Sequence, residues 1–188
     1  MIEHKFPTES LIGGWYMQEK ICDDLINYFE DNKDNAIKGA PGGETVNKDL
    51  VDDLRLPLDR FNPHNSFVNY VKSLQKCLTN YTQKFTDCQR MPEYELEQYT
   101  NLQKYEPGQG YKVWHFEDDG ISKRLFVFTT YLNDVDDGGT HFKYQNLTAP
   151  AKKGLTVIWP APWTHTHKGQ ISLTKTKYIV TGWFTINE

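Results

Sequence analysis

The sequence has few cysteines, no run of basic residues and no long apolar stretch, and each absence closes off a class of function. Cys22, Cys77 and Cys88 are three in number and far apart, with neither CxxC metal spacing nor the even count of a disulfide framework. A reducing compartment is therefore expected, and the cytoplasm is the expected location. Lysine and arginine are outnumbered by acidic residues, 21 to 25, giving a formal charge of −4 with no basic cluster. That balance counts against a nucleic-acid partner held by phosphate neutralisation. No apolar run approaches the ~18 residues of a membrane-spanning helix. The opening MIEHKFPTES lacks the basic-then-apolar order of a signal peptide, so none is expected, and no membrane partner either.

What the chain has in quantity is aromatic side chains, 14% of residues, and these favour half-buried strands. Its 188 residues suit a single domain spanning 1–188 with room for a real core. Helical periodicity is confined to about 15–86. Ile21, Leu25, Ile26 and Phe29 line one face of a helix over Met17 to Glu30. Phe67, Val71, Leu74, Leu78, Tyr81 and Phe85 line another from Ser66 to about Phe85, with Asn65 or Ser66 as N-cap. Between them, Asp31 to Val46 carries Gly39, Pro41, Gly42 and Gly43 and reads as a loop. Its segment 36–45 is either a lid over substrate or an inert insertion.

From Met91 the chain becomes strand-like. Glu93 to Lys104, Tyr111 to Glu117, Lys123 to Leu132, Thr140 to Tyr144, Gly154 to Trp159 and Lys175 to Ile186 read as strands. Pro107-Gly108, the turn Asp136-Asp137-Gly138-Gly139 and Pro160-Ala161-Pro162 punctuate them. Helices first and strands after, with no helices between the strands, predict antiparallel β. The expected fold is mostly β with N-terminal helices: a barrel or two-sheet jelly roll over about 91–186, braced by the helices.

The chemistry centres on Tyr105 to Glu117, YEPGQGYKVWHFE. If its end is a strand, the period of two puts His115 and Glu117 on one face. An imidazole nitrogen and a carboxylate oxygen aimed at one point make two thirds of a 2-His-1-carboxylate iron site. The third ligand would come from THTHKG, as His165 or His167. His4 and His64 read as surface residues, whereas His141, after Gly138-Gly139-Thr140, could reach a pocket. Lys177 lies on the last strand with Ile179, Thr181 and Trp183 on its face. It is either an edge-strand lysine or a buried ammonium that binds a carboxylate.

These pieces form a larger pattern. It runs Tyr105-x-Pro107-Gly108-Gln109-x-Tyr111-x-x-x-His115-x-Glu117, Arg124, Tyr131-Leu132-Asn133-Asp134-Val135 and Gly138-Gly139-Thr140-x-Phe142. It continues through Lys153-Gly154, His167-x-Gly169, Lys177-Tyr178 and Trp183. The sequence thereby resembles the Fe(II)/2-oxoglutarate-dependent dioxygenases, in their prolyl-4-hydroxylase-like branch, and its size is similar to that of short stand-alone bacterial and phage members. The resemblance covers about Glu93 to Phe184 and implies a double-stranded β-helix (jelly-roll) core. It also implies Fe(II) and 2-oxoglutarate as cofactor and co-substrate, with ascorbate as a candidate reductant. The implied reaction is hydroxylation of a peptidyl prolyl or similar side chain, with release of succinate and CO2 and a peptide or protein as partner.

Carried over by this resemblance, His115, Glu117 and His167 would be the metal ligands. The His-x-Gly context and the ten-residue step to Lys177 select His167 over His165. Lys177 would hold the distal carboxylate of 2-oxoglutarate, with Tyr105, Thr130 and Thr140 as hydroxyl donors, and Arg124 and Trp183 would face substrate. The family usually has His-x-Asp where this chain has Glu117; Asp118 is a fallback ligand, reachable only if the strand bulges. Three other functions compete: a jelly-roll binding module with a decayed metal site, a nucleic-acid demethylase on the same scaffold, and a cupin-type metal enzyme that would not need Lys177.

Overall fold

The structure is a computed structural model that describes residues 1–39, 51–118 and 120–187. Its larger sheet runs β1 (Ile2–His4), β2 (Gly13–Tyr16), β12 (Leu155–Pro160), β9 (Arg124–Tyr131), β14 (Lys177–Ile186), β7 (Tyr99–Tyr105), β5 (Leu54–Asp59) and β3 (Ile37–Lys38). The strand β6 (Tyr94–Leu96) also pairs with β14. A smaller sheet orders β11 (Leu147–Ala151), β10 (Val135–Phe142) and β13 (His167–Gly169), and β4 (Val51–Asp52) pairs with β8 (Gly110–Tyr111). Two helices accompany them among the described residues, α1 (Glu19–Asp31) and α2 (Asn65–Lys84). The fold is mostly β, antiparallel in its pairings, and is the jelly roll expected.

The middle of β9 explains the layering. Phe126 to Tyr131 are all buried, so both faces of the strand are covered. Phe126 and Phe128 face the helices, meeting Phe29 of α1 and Leu74 and Tyr81 of α2 in one core. Val127 and Tyr131 face the other way, toward Tyr105, Phe142 and Trp159 in a second core. Burying a side chain such as Phe128 contributes roughly 1.5–3 kcal/mol. The helices thus hold one face of the sheet rigid and leave the other for a cleft.

Several expectations need correction. Strands do not wait for the helices to finish: β1 and β2 precede α1, and β3 to β5 lie between the helices. Pro57 is tolerated in β5 because that strand lies near the sheet's edge. Its outer neighbour pairs only with Leu54 and Arg55, so the ladder on that side stops before the proline. His4 accordingly sits in β1, with its ring 3.0 Å from the Tyr16 hydroxyl.

The expected loop after α1 is instead a 3-10 turn, Lys33–Asn35, followed by β3. Gly39 then donates its N–H to the Asp53 carbonyl at 3.0 Å. The remainder of the 36–45 segment considered as a lid lies outside the described residues. The expected turn Asp136-Asp137-Gly138-Gly139 is part of β10, where the pairing with β11 shifts register between Val135 and Thr140. Finally, the N-cap of α2 is His64, whose Nδ1 accepts from the Ser66 N–H at 3.3 Å. Its ring stacks on Tyr28 at 4.5 Å.

Candidate active site

The segment carrying His115 is not the regular strand expected. β13 is only three residues long, so it offers a pairing partner at one point, an isolated bridge between His115 and His167. Two backbone hydrogen bonds close that bridge, His115 N–H to the His167 carbonyl at 3.0 Å and the reverse at 2.8 Å. The period of two survives locally. Trp114 and Phe116 are exposed, while His115 and Glu117 turn inward.

The bridge brings three side chains to one point. A ligand atom from each of His115, Glu117 and His167 lies within 4.8 Å of the others. Glu117 Oε1 is 3.3 Å from His115 Nε2 and 3.8 Å from His167 Nε2. The other ring nitrogens are already engaged: His115 Nδ1 is 3.0 Å from the Val113 carbonyl and His167 Nδ1 is 2.8 Å from the His165 carbonyl. A carbonyl only accepts, so both Nδ1 atoms carry a proton and the Nε2 atoms are the ones turned toward the site. Burial, reinforced by the nearby His115, lowers the His167 pKa to about 4. The imidazole is therefore neutral, as a ligand must be. Burial alone would raise the Glu117 carboxyl, but its contacts with His115, His167 and Arg124 hold it below the usual carboxylate range.

The trio opens into a cleft of about 460 Å³ between the two sheets. Register sets its floor. Lys177 of β14 lies opposite Tyr105 of β7, and Ile179 and Thr181 lie opposite Tyr131 and Thr129 of β9. Lys177 is 5% exposed, and its Nζ donates to the Gly138 and Gln170 carbonyls at 3.0 Å each. Gly138 leaves it that room, since a Cβ there would lie 2.6 Å from Val135 and 3.2 Å from the lysine's own Cδ. Burial lowers the Lys177 pKa to about 8, against the pull of Asp137. No carboxylate among the described residues forms an ion pair with this ammonium.

The donor set fits the group that the sequence resemblance implied. Two neutral imidazoles and one carboxylate are the facial donor set of non-haem Fe(II). A buried lysine without a counter-ion suits an anion. The indole N–H groups of Trp159 and Trp183, buried and without a partner, line the same cleft. Unsatisfied buried donors of this kind ask for an acceptor from outside the chain.

Residues 100–185 match the model of the 2OG-Fe(II) oxygenase superfamily. Over that span, a little under half of its length, the chain is similar to that superfamily. Solved structures share the fold of this chain over nearly its whole length. A prolyl-4-hydroxylase from Pseudomonas putida superposes with a TM-score of 0.74 at 14% identity, covering 95% of this chain and 96% of its own. The viral collagen prolyl hydroxylase of Paramecium Bursaria Chlorella virus-1, in a 2OG complex, gives 0.69 at 19% identity, over 94% and 97%. A Trichoplax adhaerens prolyl hydroxylase, bound to a hypoxia inducible factor oxygen degradation domain peptide fragment, gives 0.73 at 12%, over 94% and 84%. Among curated proteins no sequence matches the chain. The match supports an enzyme of the 2OG-Fe(II) oxygenase kind, and the site suits Fe(II) and 2-oxoglutarate.

Several anticipated residues lie elsewhere. His165 is buried but turned away from the trio, with Nε2 3.0 Å from the Ser10 carbonyl. His141 lies outside the cleft, 2.7 Å from the Thr148 hydroxyl. Asp118 accepts from the Gly120 N–H at 3.0 Å and does not join the trio. Thr130 is on the wrong face of β9. Its hydroxyl lies 2.8 Å from both Tyr70 Oη and Thr156 Oγ1 on the helix side. Its neighbour Tyr131, part of the sequence pattern but given no role there, takes the cleft-side place, with Oη 2.6 Å from Thr140 Oγ1. Tyr105, Thr140, Arg124 and Trp183 all line the cleft, as do Gln103 and Arg55, for which the sequence held no signal.

Thr130→Val should therefore act on the fold alone. Leaving Tyr70 and Thr156 unsatisfied should cost about 1–3 kcal/mol, seen as a lower denaturation midpoint, while 2-oxoglutarate affinity stays unchanged. A folded variant that loses the co-substrate would put the hydroxyl back in the cleft.

Proposed function

We propose that the protein is an Fe(II)- and 2-oxoglutarate-dependent hydroxylase acting on a peptidyl prolyl or similar side chain. The observation that carries this reading is the convergence of His115, Glu117 and His167 in the same cleft as the unpaired, buried Lys177. In this reading the three side chains would hold Fe(II), with the two imidazoles and the Glu117 carboxylate as donors. Bound there, iron with its co-substrate supplies the oxidising chemistry that turns a C–H bond into C–OH.

The chain's own residues then bind, orient and exclude water. Lys177 receives the distal carboxylate of 2-oxoglutarate by a charge-assisted hydrogen bond. Tyr131 and Thr140, whose hydroxyls already touch, supply neutral donors beside it, and Tyr105 lies under the ammonium with its ring centroid 5.1 Å from Nζ. Val127, Trp159 and Ile179 keep that end of the cleft dry. The carbonyls of Val113 and His165 fix both imidazole tautomers before any ligand arrives. A peptide substrate is supported by the neighbour bound to a peptide fragment and by the collagen prolyl hydroxylase that shares the fold. The complete ligand trio and the buried lysine weigh against a decayed binding module, which would need neither.

The test is conversion of 2-oxoglutarate to succinate with Fe(II), with and without a proline-rich peptide. The reading expects slow uncoupled turnover alone, stimulation by peptide, and a mass gain of one oxygen on the peptide. Absence of succinate under both conditions would sink the enzyme reading. Succinate without peptide stimulation would leave the oxygenase and remove the prolyl substrate.

A further inference from the structure

Arg124 stands at the rim of the cleft, where a substrate-side role would be natural, yet its guanidinium is committed elsewhere. Its Nε donates to Glu97 Oε1 at 3.0 Å and its Nη1 lies 3.4 Å from Glu117 Oε2. The planar group lies over the Trp183 ring, 3.8 Å from the centroid. Three faces of one side chain are thus occupied, and the guanidinium is held in place from behind by Glu97 and from below by Trp183. The two oxygens of Glu117 are divided: Oε1 faces the imidazoles, and Oε2 faces the arginine.

This division answers a problem that glutamate creates. Compared with aspartate it has one more torsion, so its carboxylate can swing, and either oxygen, or both, could reach a metal. We propose that Arg124 is a positioning residue for the metal centre. By holding Glu117 Oε2 it presents Oε1 alone to the cation and allows a glutamate to serve as the carboxylate of the facial trio. The inference rests on the metal reading of His115, Glu117 and His167. It assigns Arg124 to the carboxylate ligand, because Nη1 faces Glu117 Oε2 while Glu97 and Trp183 fix the guanidinium in that orientation. A fixed outer partner of this kind typically changes metal affinity about 10–100-fold when removed.

The experiment is titration of the metal-free protein with Mn(II) and Co(II), followed by calorimetry and by the Co(II) visible spectrum. Arg124→Gln should weaken both metals at least tenfold and change the Co(II) band shape as the carboxylate rearranges. Arg124→Lys keeps the charge but not the planar fork, so it should recover only part of the affinity. In a Glu117→Asp background the shorter side chain cannot span from the metal to the guanidinium, and Arg124→Gln should then change affinity less than threefold. Should Arg124→Gln not fold, Arg124→Lys in the two backgrounds carries the same comparison. Equal losses in both backgrounds would reduce Arg124 to general electrostatics and overturn the proposal. Unchanged metal affinity with weakened peptide binding would return it to the substrate. His115→Ala is the control for the underlying reading: if that variant also keeps its metal, the metal site itself is misplaced, whereas loss there with no change at Arg124 defeats this inference alone.

Discussion

His167→Ala should strip the protein of its metal without unfolding it, whereas His165→Ala should keep the metal and weaken the fold. The two histidines are one residue apart on either side of Thr166, and both are buried, so burial does not distinguish them. Direction does. His167 sends Nε2 to within 3.8 Å of Glu117, while His165 sends Nε2 to the Ser10 carbonyl near the N-terminal strands. Removing a direct ligand should cost more than the roughly 10–100-fold that outer partners cost, so Mn(II) binding should fall below detection by calorimetry. Removing the His165 ring instead leaves a cavity and an unsatisfied carbonyl, a loss of about 1–3 kcal/mol in unfolding free energy. The same contrast should appear in thermal denaturation. A metal that binds only the native state stabilises it by about 2.7 kcal/mol at a hundredfold excess over Kd. Wild type and His165→Ala should both shift upward on adding Mn(II), and His167→Ala should not move. A reversed pattern would make His165 the ligand.

The distinction between these histidines was visible in the sequence only through the His-x-Gly context and the step to Lys177; spacing alone left both open. The structure adds the reason. Trp163–His165 closes a 3-10 turn, so the segment is not extended until His167, and period two cannot be applied across it. The alternation in β14 was readable because Lys177, Ile179, Thr181 and Trp183 form a coherent set on one face of a long regular strand. In β9 it was not. Its run LFVFTTY is apolar or hydroxylic at every position because both faces are covered, so the sequence carries no contrast between Thr130 and Tyr131.

The N-terminal strands were hidden for a related reason. β2 is four residues containing two glycines, and β5 carries a proline, so local propensity argues against both. They exist because each completes the ladder of a long neighbour, β12 in one case and β7 in the other. The bridge at His115 is also a tertiary fact, imposed by the short β13 rather than by the residues around it. Where the fold followed from periodicity it could be read, and where one strand merely completes another it could not.

Lys177→Met should abolish tight 2-oxoglutarate binding and, at neutral pH, make the protein more stable. Both effects come from one buried charge. In the unfolded chain the ammonium keeps its proton up to the ordinary value of 10.5, but in the folded protein burial lowers that to about 8. Below pH 8 the folded state carries the full cost of the charge, on the order of 3 kcal/mol for a shift of this size. Between about pH 8 and 10.5 the unfolded state binds more protons than the folded one, so wild-type stability should rise with pH. Methionine has similar length and no charge to desolvate. The variant should therefore unfold at higher denaturant than wild type at pH 7, and the gap should narrow toward pH 10. Co-substrate binding should show the opposite sign. A charge-assisted hydrogen bond contributes about 1.5–3 kcal/mol, so the variant should bind 2-oxoglutarate about tenfold to a hundredfold more weakly or worse. Wild-type affinity itself should decline above pH 8 as the lysine loses its proton, while affinity in the variant stays flat. Mn(II) binding should be nearly unaffected, which separates loss of the anchor from loss of the site. Unchanged 2-oxoglutarate affinity in folded Lys177→Met would remove the lysine from the cleft's chemistry. Absence of any stability gap at pH 7 would mean that the Gly138 and Gln170 carbonyls already compensate the buried charge.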